Sequence, residues 1–301
     1  MIYLLFTFLT RQRYTIFLTD CLLKMQKLHK EHGFTGFMLT FVRNYQTMQI
    51  LLSCAKDMTS ERLYDSRKGT IPMFQQQAEA IATQMMSYSA EELGAMLKIN
   101  HQLAALNKHR YTTFLEPEPK METIFSYTGI AYKYLQAGSF SDVELAYAQG
   151  HLWITSFLYG LLRPLDMIKN YRLEGSVYLG ENGGQRMFDY WKPLLTDVLI
   201  DSVKQDDGVL LNVASAEMKH LFDWKRVKRE VKVIEPEFMV DKNGKLKSIV
   251  VYCKMCRGAM ANDVIRHQIK DPDQLKNFEF EGFSYRYDSE DGLHPLFVME
   301  G

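Results

Sequence analysis

The pattern of apolar and polar positions changes character at Met48. Residues 1–47 contain apolar stretches but no sustained helical or strand period, and few capping or turn signals. From Met48 the run Met48-Gln-Ile-Leu-Leu-Ser53 reads as a short buried strand ending in the loop Ser53-Cys-Ala-Lys56. Thr70 followed by Pro72 predicts a helix start, with the helix running through Gln75 to Met86. Ser89-Ala-Glu-Glu92 is a capping box that opens a helix toward Leu106, with Leu93, Leu97, Leu103 and Ala104 on its apolar face. Ile124 to Tyr127 reads as a strand stopped at Gly129, and Ser141-Asp142 opens a helix expected to reach Gly160.

The second half alternates strands and helices. Met187 to Val203 predicts a helix, and the apolar run Val209 to Val213 a buried strand. Ser215 caps a short helix. Arg229 to Met239 and Leu246 to Tyr252 read as strands joined at Asp241-Lys-Asn-Gly244, where Asn-Gly supplies a tight hairpin turn. Asp271-Pro-Asp-Gln274 starts a late short helix. With no internal repeat or Gly/Ser linker after Met48, the expectation is one compact, mixed α+β domain over 48–301. Residues 1–47 are then an extension outside it: either Met48 is the true start, or the extension is a genuine helical addition.

Charge sharpens that division. The chain has 36 Lys/Arg and 36 Asp/Glu, a formal net charge of zero. Residues 1–47 hold six bases and two acids, so 48–301 hold 30 bases against 34 acids. A domain of that sign attracts nucleic acid only through a local basic patch. Four cysteines are too few for a disulfide framework in a chain this long. The first nine apolar residues precede the arginines, the wrong order for a secretory signal, and are too short to span a bilayer. The expected location is the cytoplasm, with no membrane contact.

Few motifs carry chemistry outright. Cys253-x-x-Cys256 after a strand and before a helix at Gly258 is where a redox dithiol would sit, but two small apolar side chains packed by chance explain it better. The eight histidines are scattered, the spaced pair His29 and His32 lies in the extension, and no metal site is expected. Hydrolase-elbow, phosphate-loop and dinucleotide fingerprints are absent. In Ser156-Phe-Leu-Tyr-Gly160-Leu-Leu-Arg163-Pro-Leu-Asp166, a helix stopping at glycine beside Arg163, with Arg172 and Glu174 following, would offer phosphate backbone N–H groups and arginine forks. A plain helix end with solvated arginines fits the same residues. The basic run Lys225, Arg226, Lys228, Arg229 and Lys232 around Trp224 reads as a protected edge strand or a nucleic-acid contact.

Several of these segments, in order, resemble the YaaA family of peroxide-stress proteins. They are Ile50-Leu-Leu-Ser53-Cys-Ala-Lys56, Leu106-Asn107-Lys-His-Arg110, Leu158-Tyr-Gly-Leu-Leu-Arg163-Pro-Leu-Asp166 with Tyr171-Arg-Leu-Glu174, Asn212-Val-Ala-Ser215-Ala-Glu217, and Tyr252-Cys-Lys254-Met-Cys-Arg257-Gly258. The resemblance implies a cytosolic protein that limits peroxide damage from unincorporated iron and binds DNA through a helix-hairpin-helix-like element and a basic cleft. Turn chemistry places that element at Ser156–Arg172. Phe157, where relatives can carry glycine, departs from the pattern; so do Cys253 and Cys256, and the extension has no counterpart.

Under this reading Lys56, Arg110, Arg163, Arg172, Lys254 and Arg257 neutralise phosphates, Gly160 shapes the turn, and Tyr132 or Tyr159 stacks on a base. The expected partner is double-stranded or damaged DNA, with no cofactor, no metal, no catalytic residue and no stable protein partner. The rival reading is an enzyme using Lys56, Asp166, Glu174, Asn212, Ser215 and Glu217. It gains if Asp166, Glu174 and Glu217 converge on one pocket with Lys56. Iron sequestration is disfavoured, because clustered His, Cys and carboxylate ligands are missing.

Overall fold

In the computed structural model the described residues are 47–61, 69–117, 120–180 and 184–301. The extension 1–46, with the alternatives for its role, lies outside them. The chain enters on β1 (Gln49–Leu52), buried along its length as its apolar run requires. Three helices follow: α1 (Gln75–Ser87), α2 (Ala90–Leu97) and α3 (His101–Thr112). Ser89 and Glu92 form the capping box of α2. The helix expected to reach Leu106 instead breaks at left-handed Lys98 and restarts under an Asn100 cap. Thr70 caps nothing; its hydroxyl donates to the Asp166 carboxylate at 2.7 Å.

Next come β2 (Met121–Glu122), the short helix α4 (Thr123–Ser126) where a strand was expected, α5 (Ile130–Leu135) and α6 (Asp142–His151). Ser141 and Glu144 box the start of α6, but the helix stops at His151. The chain then forms β3 (Leu152–Ser156) and turns back as β4 (Gly160–Leu162). The helix-hairpin-helix reading of Ser156–Arg172 is therefore corrected to a β-hairpin, followed by β5 (Met167–Ile168), which pairs with β2. The reason is local and tertiary together. Leu-Trp-Ile-Thr-Ser is rich in residues that fit a pleated surface, and it slots beside β1 in parallel register, Leu51 facing Trp153. Ser156 Oγ closes the turn by accepting from the N–H groups of Leu158 and Tyr159.

The remaining elements are β6 (Tyr178–Leu179), β7 (Gln185–Arg186), α7 (Met187–Gln205), β8 (Val209–Asn212), α8 (Trp224–Glu230), β9 (Lys232–Ile234), β10 (Glu237–Lys242), β11 (Lys245–Lys247), α9 (Val250–His267), β12 (Phe283–Asp288) and β13 (Pro295–Glu300). The β10–β11 hairpin turns at Asn243 and Gly244, both at positive φ, as the Asn-Gly signal requires. Two expected strands are corrected. The basic run is helical through Glu230, since Val227 and Val231 sit one helical turn apart and are both buried. Only Lys232 joins the sheet edge. The strand expected to reach Tyr252 ends at Lys247, and α9 starts at Val250.

The central sheet has the order β4-β3-β1-β8-β9, with β3, β1, β8 and β9 parallel and β4 antiparallel at one edge. A second sheet runs β11-β10-β13-β12. Beneath the β3–β4 turn, Trp191 of α7 is fully buried and donates its indole N–H to the Phe157 carbonyl at 2.8 Å. None of the described helices is long and apolar enough to cross a membrane.

One surface network makes a pH prediction. Glu230 accepts from Lys204 at 2.6 Å and Arg226 at 2.7 Å, and those bonds hold its carboxyl down at about 2. A depressed acid contributes stability above its ordinary value of 4.5 and loses it as pH falls through about 2. Glu230→Gln should flatten the acid limb of the unfolding curve across that window. An acid limb identical to wild type would refute the assignment.

Candidate functional site

Strand order locates the site before any side chain is considered. From β1 the chain first builds outward on one side, through β3 and β4, and then on the other, through β8 and β9. The loops leaving the carboxyl ends of β1 and β8 therefore diverge, and such switch points open a crevice for ligands in parallel sheets. A cavity of about 350 Å³ lies there, lined by Ser53–Asp57 after β1 and by Val213, Ser215, Glu217 and Met218 after β8. Gly129–Tyr132 at the start of α5, Tyr171–Glu174, and Lys254 and Arg257 of α9 complete the walls, with Leu52 and Phe157 below. The volume falls in the range of small-molecule pockets, roughly 300–1,000 Å³.

Backbone and hydroxyl contacts fix the two loops. Ser53 Oγ accepts from the Ser215 N–H at 2.8 Å, tying the β1 loop to the β8 loop. The Tyr132 hydroxyl donates to the Ser53 carbonyl at 2.9 Å, and the Cys54 N–H to Thr155 Oγ1. Asn212 Oδ1 accepts from the Ala214 N–H while its amide donates to Glu235, which shapes the turn leading to Ser215. Behind the lining, the hydroxyl of Tyr171 joins Ser156 Oγ and the Tyr127 hydroxyl in a buried hydrogen-bonded row. Burial raises both tyrosines well above their usual range and keeps them neutral. It also pushes the Cys54 thiol up to about 12, so that sulfur is no ready nucleophile.

Charge in the pocket has both signs. Glu174 Oε1 lies 2.9 Å from Arg172 Nε and 3.2 Å from Lys56 Nζ, so this acid holds two cations in place. Lys254 and Arg257, one turn apart on α9, and Glu217 have no ion pair or side-chain hydrogen bond among the described residues. Arg257 is half-buried, and desolvation holds its guanidinium below the ordinary arginine value. A close contact brings it there. A Cβ on Gly258 would meet the Ala131 carbonyl oxygen at 2.0 Å, so only glycine lets α9 lie this close to α5.

The structure thus brings together Lys56, Tyr132, Arg172, Glu174, Ser215, Glu217, Lys254 and Arg257. Others named from sequence stand apart. Arg110 bonds Asn107, and buried Tyr159 accepts from the Lys169 N–H. Gly160 is buried in β4 against Trp191 and Leu195. Arg163 lies 3.3 Å over the Trp153 ring and donates to Gln49 and to the Gly150 carbonyl. Asp166 accepts from the Arg163 N–H and the Thr70 hydroxyl. Asn212 supports the pocket from behind. Of the three acids in the enzyme reading, Glu174 and Glu217 share the cavity with Lys56, and Asp166 does not.

Sequence reasoning did not single out Cys54, Asp57, Tyr171 or Glu235 as site residues. The first two follow the earliest buried strand directly, a signal that points to the loop though not to each residue. Cys253 and Cys256 lie inside α9: Cys253 contacts Ser248 and the Phe238 carbonyl, and buried Cys256 is pushed up to about 12. The dithiol position ahead of a helix is therefore corrected, because α9 begins before both cysteines. Among the described residues no three His, Cys, Asp or Glu side chains group as a metal site.

Fold and site define a mixed helix-and-sheet domain whose described residues form a cavity at the switch point of a largely parallel sheet. The sequence profile described as peroxide stress protein YaaA matches residues 48–289. A UPF0246 protein of Phocaeicola vulgatus is 49% identical over 253 residues, covering 84% of this chain and 99% of the relative. One from Bacteroides fragilis is 49% identical over 252 residues, 83% and 98% of the two chains. One from Neisseria gonorrhoeae is 31% identical over 242 residues, 79% and 93%. The chain belongs to the YaaA family of peroxide stress proteins.

Proposed function

We propose that this peroxide-stress protein binds DNA by seating phosphate on Arg257 and Lys254 at the pocket, with Lys56 and Arg172 beside them. The observation that carries it is Arg257, a half-buried guanidinium with no carboxylate or carbonyl partner among the described residues. Leaving such a group desolvated and unpaired is unfavourable, and a phosphate satisfies it with two parallel hydrogen bonds. The basic run around α8 supports DNA contact less well. Arg226 is held by Asp197 and Glu230, and Lys228 by buried Glu235. Occupied DNA is shielded where iron-generated radicals strike, and that links binding to peroxide resistance.

The test is affinity for duplex and single-stranded DNA across a range of salt concentrations. Arg257→Ala and Lys254→Ala should each weaken binding on any sequence. Each should also reduce the slope of log affinity against log salt by about one, one counterion fewer being released. Absence of salt-dependent binding by wild type would overturn the reading.

A second reading, an enzyme acting on a small molecule, is favoured by one observation: Lys56, Glu174 and Glu217 face a cavity of small-molecule size. It predicts that a small ligand stabilises the protein and is chemically changed, while DNA affinity stays negligible.

A further inference from the structure

We infer that Glu217 is a base-reading residue: the pocket takes one unpaired nucleotide whose exocyclic amino group donates to the Glu217 carboxylate while its phosphate rests on Arg257 and Lys254. The inference rests on the DNA reading above and adds a specificity to it.

Size sets the first limit. A cavity of about 350 Å³ suits a single small ligand, so no duplex enters it whole, and what enters from a nucleic acid is one nucleotide out of its stack. Charge sets the second. A carboxylate beside a phosphate site weakens binding of every anion unless something neutralises or uses it. Glu174 is neutralised, since it touches both Lys56 and Arg172. Glu217 is not: it is exposed, lines the same cavity, and has no cation or donor among the described residues. Its charge, with that of Glu174, acts on the Cys54 thiol of the same cavity. A ligand that covers Glu217 displaces water from its carboxylate, and it binds more tightly if it brings a hydrogen-bond donor in that water's place.

Among bases, cytosine, adenine and guanine carry an amino group, and thymine presents a carbonyl oxygen at the corresponding edge. Carboxylates accept from the cytosine amino group in base readout, and unstacked bases expose these edges fully. The aromatic side chains of Phe157, Tyr132 and Tyr171 that line the cavity give the base an apolar surface to rest on.

The experiment measures affinity of the full-length protein for short single strands of dC, dA and dT, and for dCMP and dTMP, with wild type and Glu217→Gln. Glutamine keeps the size but offers a donor as well as an acceptor, so it tolerates thymine. Wild type should favour dC and dA over dT by about tenfold, one good base contact, and Glu217→Gln should collapse that preference with its melting temperature unchanged. Preference for dCMP over dTMP in the free nucleotides places the readout in the pocket itself; preference confined to strands moves it outside and overturns the inference. Equal affinity for all three strands, with salt dependence intact, overturns base reading and leaves DNA binding standing. Loss of all salt-dependent binding removes both.

Discussion

Gly258→Ala is expected to lower the melting temperature by roughly 6–12 °C and to abolish ligand binding at the pocket. The added methyl would sit 2.0 Å from the Ala131 carbonyl oxygen, 2.8 Å from its carbon and 3.0 Å from its Cα. All three are backbone atoms of α5, so no side chain can swing aside. Either α9 moves away from α5 or both helices bend. Overpacking of this kind costs about 3 kcal/mol at the upper end, which for a domain of this size corresponds to the stated shift. The functional loss has the same origin, because Arg257 and Lys254 ride on α9 and shift with it. Gly150→Ala is the control. It also lies in a helix, α6, but nothing stands within 4 Å of its would-be Cβ, so alanine there should be neutral or stabilise by about 1 kcal/mol or less. Equal melting temperatures for the two variants would show that α5 and α9 are not locked at Gly258.

How far the sequence determines this fold by local rules depends on the element. Ser89 and Ser141 announce helix starts through capping boxes, and Asn243-Gly244 announces a hairpin, because each signal is complete within four residues. The buried strands at Ile50 and Leu210 are equally plain, being short apolar runs with no helical length. Leu152–Ser156 is different. Its place in the sheet depends on pairing with β1, some hundred residues earlier, and a preceding capped helix invites the eye to run on through it. Trp224–Glu230 misleads in the opposite direction, since Val227, Val231 and Val233 fit both a helix face and a strand alternation.

The site divides the same way. Lys56 and Ser215 are legible as polar residues just past buried strands, where parallel sheets open their crevices. Arg163 and Arg172 are indistinguishable on paper, nine residues apart in one basic-acidic motif. Their fates differ because Arg172 meets Glu174 at the pocket wall, whereas Arg163 meets Trp153 and Gln49, residues brought to it only by the folded sheet. No spacing rule carries that information.

Arg163→Ala should therefore be a stability variant. Its guanidinium lies 3.3 Å over the Trp153 ring, and Nη1 donates to Gln49 Oε1 at 3.2 Å and to the Gly150 carbonyl at 3.1 Å. Burial lowers its pKa to about 10, a mark of desolvation that the stacked ring and carbonyls offset while the arginine is present. Truncation removes the cation–π contact and leaves buried Gln49 Oε1 without its arginine donor, while the Gly150 carbonyl keeps its bond from Gln49 Nε2. A desolvated cation–π contact contributes about 2 kcal/mol and a buried unpaired polar group costs about 1–3 kcal/mol. Together they predict a loss of about 3 kcal/mol by denaturant unfolding. Arg163→Lys keeps the charge but not the flat fork, so it should recover less than half of that loss. At temperatures where the variant remains folded, its salt slope for DNA should equal that of wild type, in contrast to Arg257→Ala. A variant with wild-type stability and a slope reduced by about one would return Arg163 to the phosphate contacts and move the DNA surface to the opposite end of the parallel strands.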